Sequence, residues 1–195
     1  MADSLNPHFL SRKIHSLTGL LPVGAFLVFH LWENSMSRKG QAFFNEHVVD
    51  GIETLLNYRL LVELFLAAMI LFHGLYGLVI WWQGKSNTSR YRFGNNLRYL
   101  LQRITAVLSL AFIVWHVWSS RIAAALDEKV ARDLFTHMQQ LYATPYNVVL
   151  YLVGITAATF HLANGLWSAS ITLGLATFLY LPLRSLADPA LDFGD

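Results

Sequence analysis

The sequence predicts an all-α fold, an integral membrane helical bundle with four transmembrane helices, and three observations carry that reading. Hydrophobic residues make up 55% of the 195 and charged residues only 13%, with a mean hydropathy of +0.43, whereas soluble domains carry about 25% charge. The deficit is gathered into uncharged runs of about 20 residues, the length of one hydrocarbon crossing. The basic residues cluster in the links between those runs. Residues 1–195 are therefore one bundle, and spans replace domains as the units to count.

The first span covers residues 14–32, where Ile14 to Trp32 contains no Asp, Glu, Lys or Arg. Arg12 and Lys13 precede it as in a signal peptide, but no small-residue cleavage site follows Trp32, so the segment stays in the mature protein. The second span is placed at 58–84, with Leu64 to Gly84 uncharged. In the third, Ile104 to Ser120 is uncharged but short, and a start near Leu97 gives 97–120 with Arg98 and Arg103 snorkelling to the interface. The uncharged stretch Leu134 to Leu183 holds the fourth. Pro145 is a natural helix start and Pro182 a natural stop. Tyr146 to Leu181 would be ~54 Å of helix, too long for one crossing and too short for two with a turn. The span is accordingly read as 146–174.

The link between spans two and three carries Lys85, Arg90, Arg92 and Arg98 without an acid, while the preceding link sets Glu33, Glu46, Asp50 and Glu53 against Arg38, Lys39 and Arg59. The positive-inside rule then puts the N-terminus and the Lys85–Arg98 link in the cytoplasm, with 33–59 and 121–145 outside. Within the second outer link, Leu126, Val130, Leu134, Met138 and Leu141 recur at helical spacing, predicting an amphipathic helix on the surface; a packed loop helix fits the same pattern. Fourteen Lys and Arg against twelve Asp and Glu form no stripe that could follow a phosphate backbone, so nucleic acid is excluded as a partner. The absence of cysteine removes disulfides, thiolate zinc, iron–sulfur clusters and thioether-linked haem as centres held by this chain alone.

Each span carries one histidine at membrane depth: His30, His73, His116 and His161. A lone histidine there is often a structural one, hydrogen-bonded across helices. Four, one per helix, point to function, because ionisable groups in hydrocarbon are costly. Depth sorts them into pairs. Spans one and three run outward and end near His30 and His116. Spans two and four run inward, with His73 and His161 about 22 Å below their outer starts. The two levels differ by roughly 13 Å. A tetrahedral zinc would need its ligands at one depth, whereas two imidazoles per level suit two stacked bis-histidine haems. Such iron has no open position for oxygen, and electron transfer is its favoured use.

Small residues flank these positions: Gly77 after His73, and Ala157, Ala158, Asn164 and Gly165 around His161. They would admit a flat macrocycle, or equally allow close helix packing. Arg12, His15, Ser16 and Arg103 lie at the inner ends of spans one and three, where haem propionates need donors; interfacial snorkelling also accounts for the arginines. Trp32, Trp118, Trp81 and Trp82 read as interfacial belts. His8, His47 and His137 fall outside the spans and read as solvated. Glu63 sits in the outer half of span two, as a quinone-site proton carrier or a structural acid.

The runs RKIHSLTGLLPVGAFLVFHLWEN (12–34), LFHGLYG (71–77), LQRITAVLSLAFIVWHVWSSR (101–121) and TFHLANGLWS (159–168) closely resemble the single-chain dihaem cytochrome b membrane subunit of bacterial succinate dehydrogenase and fumarate reductase. The likeness runs from about Phe9 to Gly174. The resemblance implies two haem b groups, an outer one on His30 and His116 and an inner one on His73 and His161, with His15 and Ser16 at the inner propionates. It further implies a bacterial cell membrane and, on its cytoplasmic side, a flavoprotein and an iron–sulfur subunit. Electrons from succinate would reach menaquinone near the outer face, and the reverse flow, from quinol to fumarate, uses the same parts. Family members have a fifth membrane helix, whereas the tail 175–195 reads as too short and too acidic for one. A dihaem subunit of a formate dehydrogenase or hydrogenase, and a haem-free anchor or metal transporter, are the rival readings.

Overall fold

The computed structural model describes residues 7–49, 56–84 and 94–172, and among them every regular element is helical. The first span is α1 (Pro7–Thr18), a π-helical turn (Gly19–Val23) and α2 (Gly24–Ser35). With the 3-10 turn Met36–Lys39 it continues the span beyond 14–32 at both ends, to Leu10–Lys39. The wide turn sits where Pro22 lies inside the helix. A proline has no N–H to donate and its ring collides with the carbonyl four residues back, so the backbone opens locally and then resumes. Gly40, at φ 96°, ends the 3-10 turn in a conformation open to glycine, and a short α3 (Gln41–Phe44) follows.

The second span is α4 (Leu56–Gln83) and the third α5 (Gly94–Val117), prolonged through a π turn (Trp118–Ile122) into α6 (Ala123–Leu126). The fourth, α9 (Pro145–Thr172), begins with Pro145 in its first turn, where a missing N–H costs nothing. Among the described residues four helices are thus long and apolar enough to cross a membrane. The tail 175–195 and most of the basic link after Lys85 lie outside the described residues.

The amphipathic helix expected from Leu126 to Leu141 is instead broken into the end of α6, α7 (Glu128–Arg132) and α8 (Leu134–Tyr142). Asp127 and Asp133 cause the breaks. Each leaves the helical conformation and caps the next helix, Asp127 accepting from the Lys129 amide and Asp133 from the Thr136 amide. Asp133 also receives the Gln41 side-chain amide at 2.9 Å, which ties α8 to α3.

Lipid-type packing holds the spans together. Trp82, Trp118 and Leu152 are exposed, and among the described residues only Phe44, Phe112, Tyr151 and Ala157 form a buried apolar core. The most extensive contact is between α5 and α9, where a Cβ on Gly154 would lie 2.2 Å from Phe112 Cγ. Such close approach through small residues is how helices associate without a hydrophobic driving force between them.

Contacts sort to two ends. His30 with His116, Glu63 with Arg121, and His137 with the Ser119 carbonyl share one. His15 with His73, Gln102 with His161, and Arg103 with the end of α4 share the other. Successive spans therefore run antiparallel.

Candidate functional site

At the first level α2 supplies His30 and α5 supplies His116, their ring centroids 5.8 Å apart and inclined at 67°. Phe26 stacks against His30 and Phe112 against His116. Tyr151 reaches from α9 to bring its hydroxyl 3.0 Å from His116 Nδ1. The Asn34 side-chain amide donates to the His30 carbonyl at 2.8 Å and lies 3.4 Å from the ring nitrogen Nδ1.

At the second level His73 from α4 faces His161 from α9, centroids 6.1 Å apart at 80°. His73 Nδ1 lies 2.9 Å from the His15 carbonyl, and His161 Nδ1 lies 3.2 Å from the Gln102 carbonyl. A carbonyl can only accept, so in both rings Nδ1 carries the proton and Nε2 keeps its lone pair. The His15 ring itself stacks on His73 at 4.1 Å and 5°. Gly19 makes room for this: a Cβ there would lie 2.1 Å from His73 Cε1.

The two levels are set apart along α9, where Tyr151 contacts one and His161 belongs to the other. Their offset of ten positions gives about 15 Å of rise.

The donor set fits an iron porphyrin held from both sides. Metal-bound histidine characteristically spends its other ring nitrogen on a carbonyl or similar partner, which fixes tautomer and orientation, and His73 and His161 are arranged in that way. Among the described residues no group of three or more His, Cys, Asp or Glu comes together to hold a metal ion. What the helices offer is imidazoles in facing pairs.

The remaining expected residues take varied positions. Arg103 does more than snorkel: it donates to the Gly84 carbonyl at 2.9 Å and to the Trp81 carbonyl, capping the end of α4, while its buried Nε has no partner. Arg12 reaches Gln83 Oε1 at 3.4 Å, and Ser16 is exposed. Glu63 makes a two-point ion pair with Arg121, at 3.0 and 2.9 Å. Gly77 faces His15, where a Cβ would lie 3.2 Å from its Nε2. Two histidines expected to be solvated are engaged: His137 Nε2 donates to the Ser119 carbonyl at 2.8 Å, and His47 stacks on Phe43. His8's side chain falls outside the description.

Sequence reasoning missed a polar ladder between α5 and α9. Arg98 Nε donates to Asn164 Oδ1 at 3.0 Å, Asn164 Nδ2 to Gln102 Oε1 at 2.9 Å, and Gln102 Nε2 to the His161 carbonyl at 3.2 Å. Arg98 also covers the Trp167 ring at 4.7 Å. Asn164 is therefore a buried hydrogen-bonding residue as well as a small neighbour of His161. Gln102, Asn164 and Tyr151 carried a usable signal. Each is a polar side chain deep in an apolar helix, and such groups must find partners.

The stretch 85–168 matches the family described as succinate dehydrogenase/fumarate reductase transmembrane subunit. Over 173 residues the chain is 36% identical to the succinate dehydrogenase cytochrome b558 subunit of Bacillus subtilis (strain 168), covering 87% of this chain and 82% of that protein. No solved structure matches the chain. Four membrane helices, histidines meeting in pairs at two depths, and a relative this similar over most of both lengths agree: the chain belongs to the family of succinate dehydrogenase/fumarate reductase transmembrane subunits.

Proposed function

We propose that this chain is the dihaem membrane anchor of a succinate:menaquinone oxidoreductase, holding one b haem between His30 and His116 and a second between His73 and His161. The observation that carries this is the hydrogen bonding of His73 and His161 through Nδ1 to the carbonyls of His15 and Gln102, which leaves both Nε2 atoms free to ligate. Held between these histidine pairs, haem would supply one-electron transfer between the succinate-oxidising subunits and the quinone.

The chain's own residues position and partition. The His15 carbonyl accepts from both His73 Nδ1 and the Thr18 hydroxyl, so the last turn of α1 orients a ligand on the second span. His15, Ser16, Arg12 and the unpartnered Nε of Arg103 are the donors proposed for the propionates of the haem at this level. With the N-terminus cytoplasmic in a bacterial cell membrane, the basic link after Lys85 faces the flavoprotein and iron–sulfur subunits. The His30–His116 level then lies toward the outer face, where Glu63, paired with Arg121, is placed to exchange protons with menaquinone.

Two variants test the assignment in the purified complex. His116→Ala should remove one haem signal from the reduced-minus-oxidised spectrum, and His73→Ala should remove the other. Loss of the same signal in both, or retention of both signals in either, would contradict the pairing.

A further inference from the structure

Tyr151 is buried on α9, and its hydroxyl lies 3.0 Å from His116 Nδ1. Tyr142, the last residue of α8, and Ser119 border the same hydroxyl, and the Tyr142 ring meets the Tyr151 ring edge-on at 4.7 Å. The pair of rings thus links the His30–His116 level to an exposed residue at the end of the bundle. The other level is built differently, since both of its Nδ1 atoms are held by main-chain carbonyls that no substitution can delete.

We propose that Tyr151 is the positioning residue of the outer haem, its hydroxyl accepting the His116 Nδ1 proton while donating its own to Tyr142, so that the tyrosine pair fixes the ligand's tautomer and tunes its iron. The inference rests on the reading of His116 as a haem ligand. Under that reading Nε2 must hold the lone pair, Nδ1 must carry the proton, and the phenol oxygen can only accept from it. The hydroxyl hydrogen is then left for a second acceptor, and Tyr142 supplies one. A hydrogen-bond acceptor at Nδ1 makes the imidazole a more electron-rich ligand, which favours the oxidised iron. Removing it moves the equilibrium toward the reduced form.

The experiment is a redox titration of the intact complex in membranes, followed optically, for the wild type, Tyr151→Phe and Tyr142→Phe. Tyr151→Phe should keep both haems and shift one redox equilibrium about tenfold toward reduction, the lower end of outer-shell effects, which for one electron is about +59 mV. The haem that shifts should be the one His116→Ala removes, with the other unmoved. Tyr142→Phe, which leaves the phenol of Tyr151 in place, should shift the same haem in the same direction by less. Two unshifted potentials in Tyr151→Phe, or a shift of the other haem, would overturn the proposal. If Tyr151→Phe loses pigment, Tyr142→Phe decides: a shift confined to the His116 haem supports the relay, and none refutes it. A wild-type complex without haem would instead refute the functional reading beneath it.

Discussion

The His73 imidazole stacks flat on the His15 ring, centroids 4.1 Å apart, while its Nδ1 donates to the main-chain carbonyl of the same His15 at 2.9 Å. One residue of the first span thus fixes both the plane and the tautomer of a ring on the second. The contact is possible because the chain at Gly19 has no side chain, and because the helix widens around Pro22 without ending.

Substitution at the two tightest glycines should act on different haems. Gly19→Ala drives a methyl group into the His73 ring, and Gly154→Ala drives one into Phe112, the ring that stacks on His116. Overpacking of this kind costs roughly 1–3 kcal/mol. Haem quantitation and spectra should show Gly19→Ala depleting the His73–His161 signal and Gly154→Ala the His30–His116 signal. Equal depletion of both signals by either variant would contradict the two-level arrangement.

Gln102→Leu removes the donor to the His161 carbonyl and strands the buried Asn164 amide, yet leaves intact the Gln102 main-chain carbonyl that orients the His161 ring. A buried polar group left without its partner costs about 1–3 kcal/mol. Thermal unfolding in detergent should therefore fall while haem content is kept. The double variant with Asn164→Leu should recover part of the loss, and strict additivity would show that the two side chains do not act as a unit.

Asp133 should make the packing of α8 against α3 sensitive to acid. The Thr136 hydroxyl, the Thr136 amide and the Gln41 side chain hold its carboxyl below the ordinary 3.8. A carboxylate depressed in the folded state contributes stability that is present above its unfolded value and is lost as the pH falls through the folded one. Wild-type unfolding temperature should thus drop more steeply below about pH 4 than that of Asp133→Asn. Parallel curves would remove Asp133 as the cause.

For Glu63→Gln the expected change in stability is small, because its ion pair with Arg121 is half-exposed and such pairs contribute about 0–1 kcal/mol. Both haems should remain. Quinone reduction should fall and its pH profile flatten if the carboxylate exchanges protons there, whereas unchanged turnover would leave Glu63 a structural residue.

Hydropathy made the four spans legible, since summing over about 20 residues averages out local exceptions such as Pro22. The meeting of His30 with His116 and of His73 with His161 was legible from depth, because helix rise converts residue offset into height. The outer partners of the rings were hidden for a different reason. The carbonyls of His15 and Gln102 belong to the main chain and leave no trace in residue type. Arg103 read as a snorkelling cation because its partners are also carbonyls, at the end of α4. The break-up of the outer helix could have been read from Asp127 and Asp133, which are strong N-caps set inside an otherwise regular apolar spacing.

The most direct test is haem stoichiometry in the purified complex, measured by extraction and by the dithionite-reduced minus oxidised spectrum. Two b haems per copy of this chain, resolved as two redox steps, is the predicted result. A colourless chain, or a single haem per copy, would contradict the account.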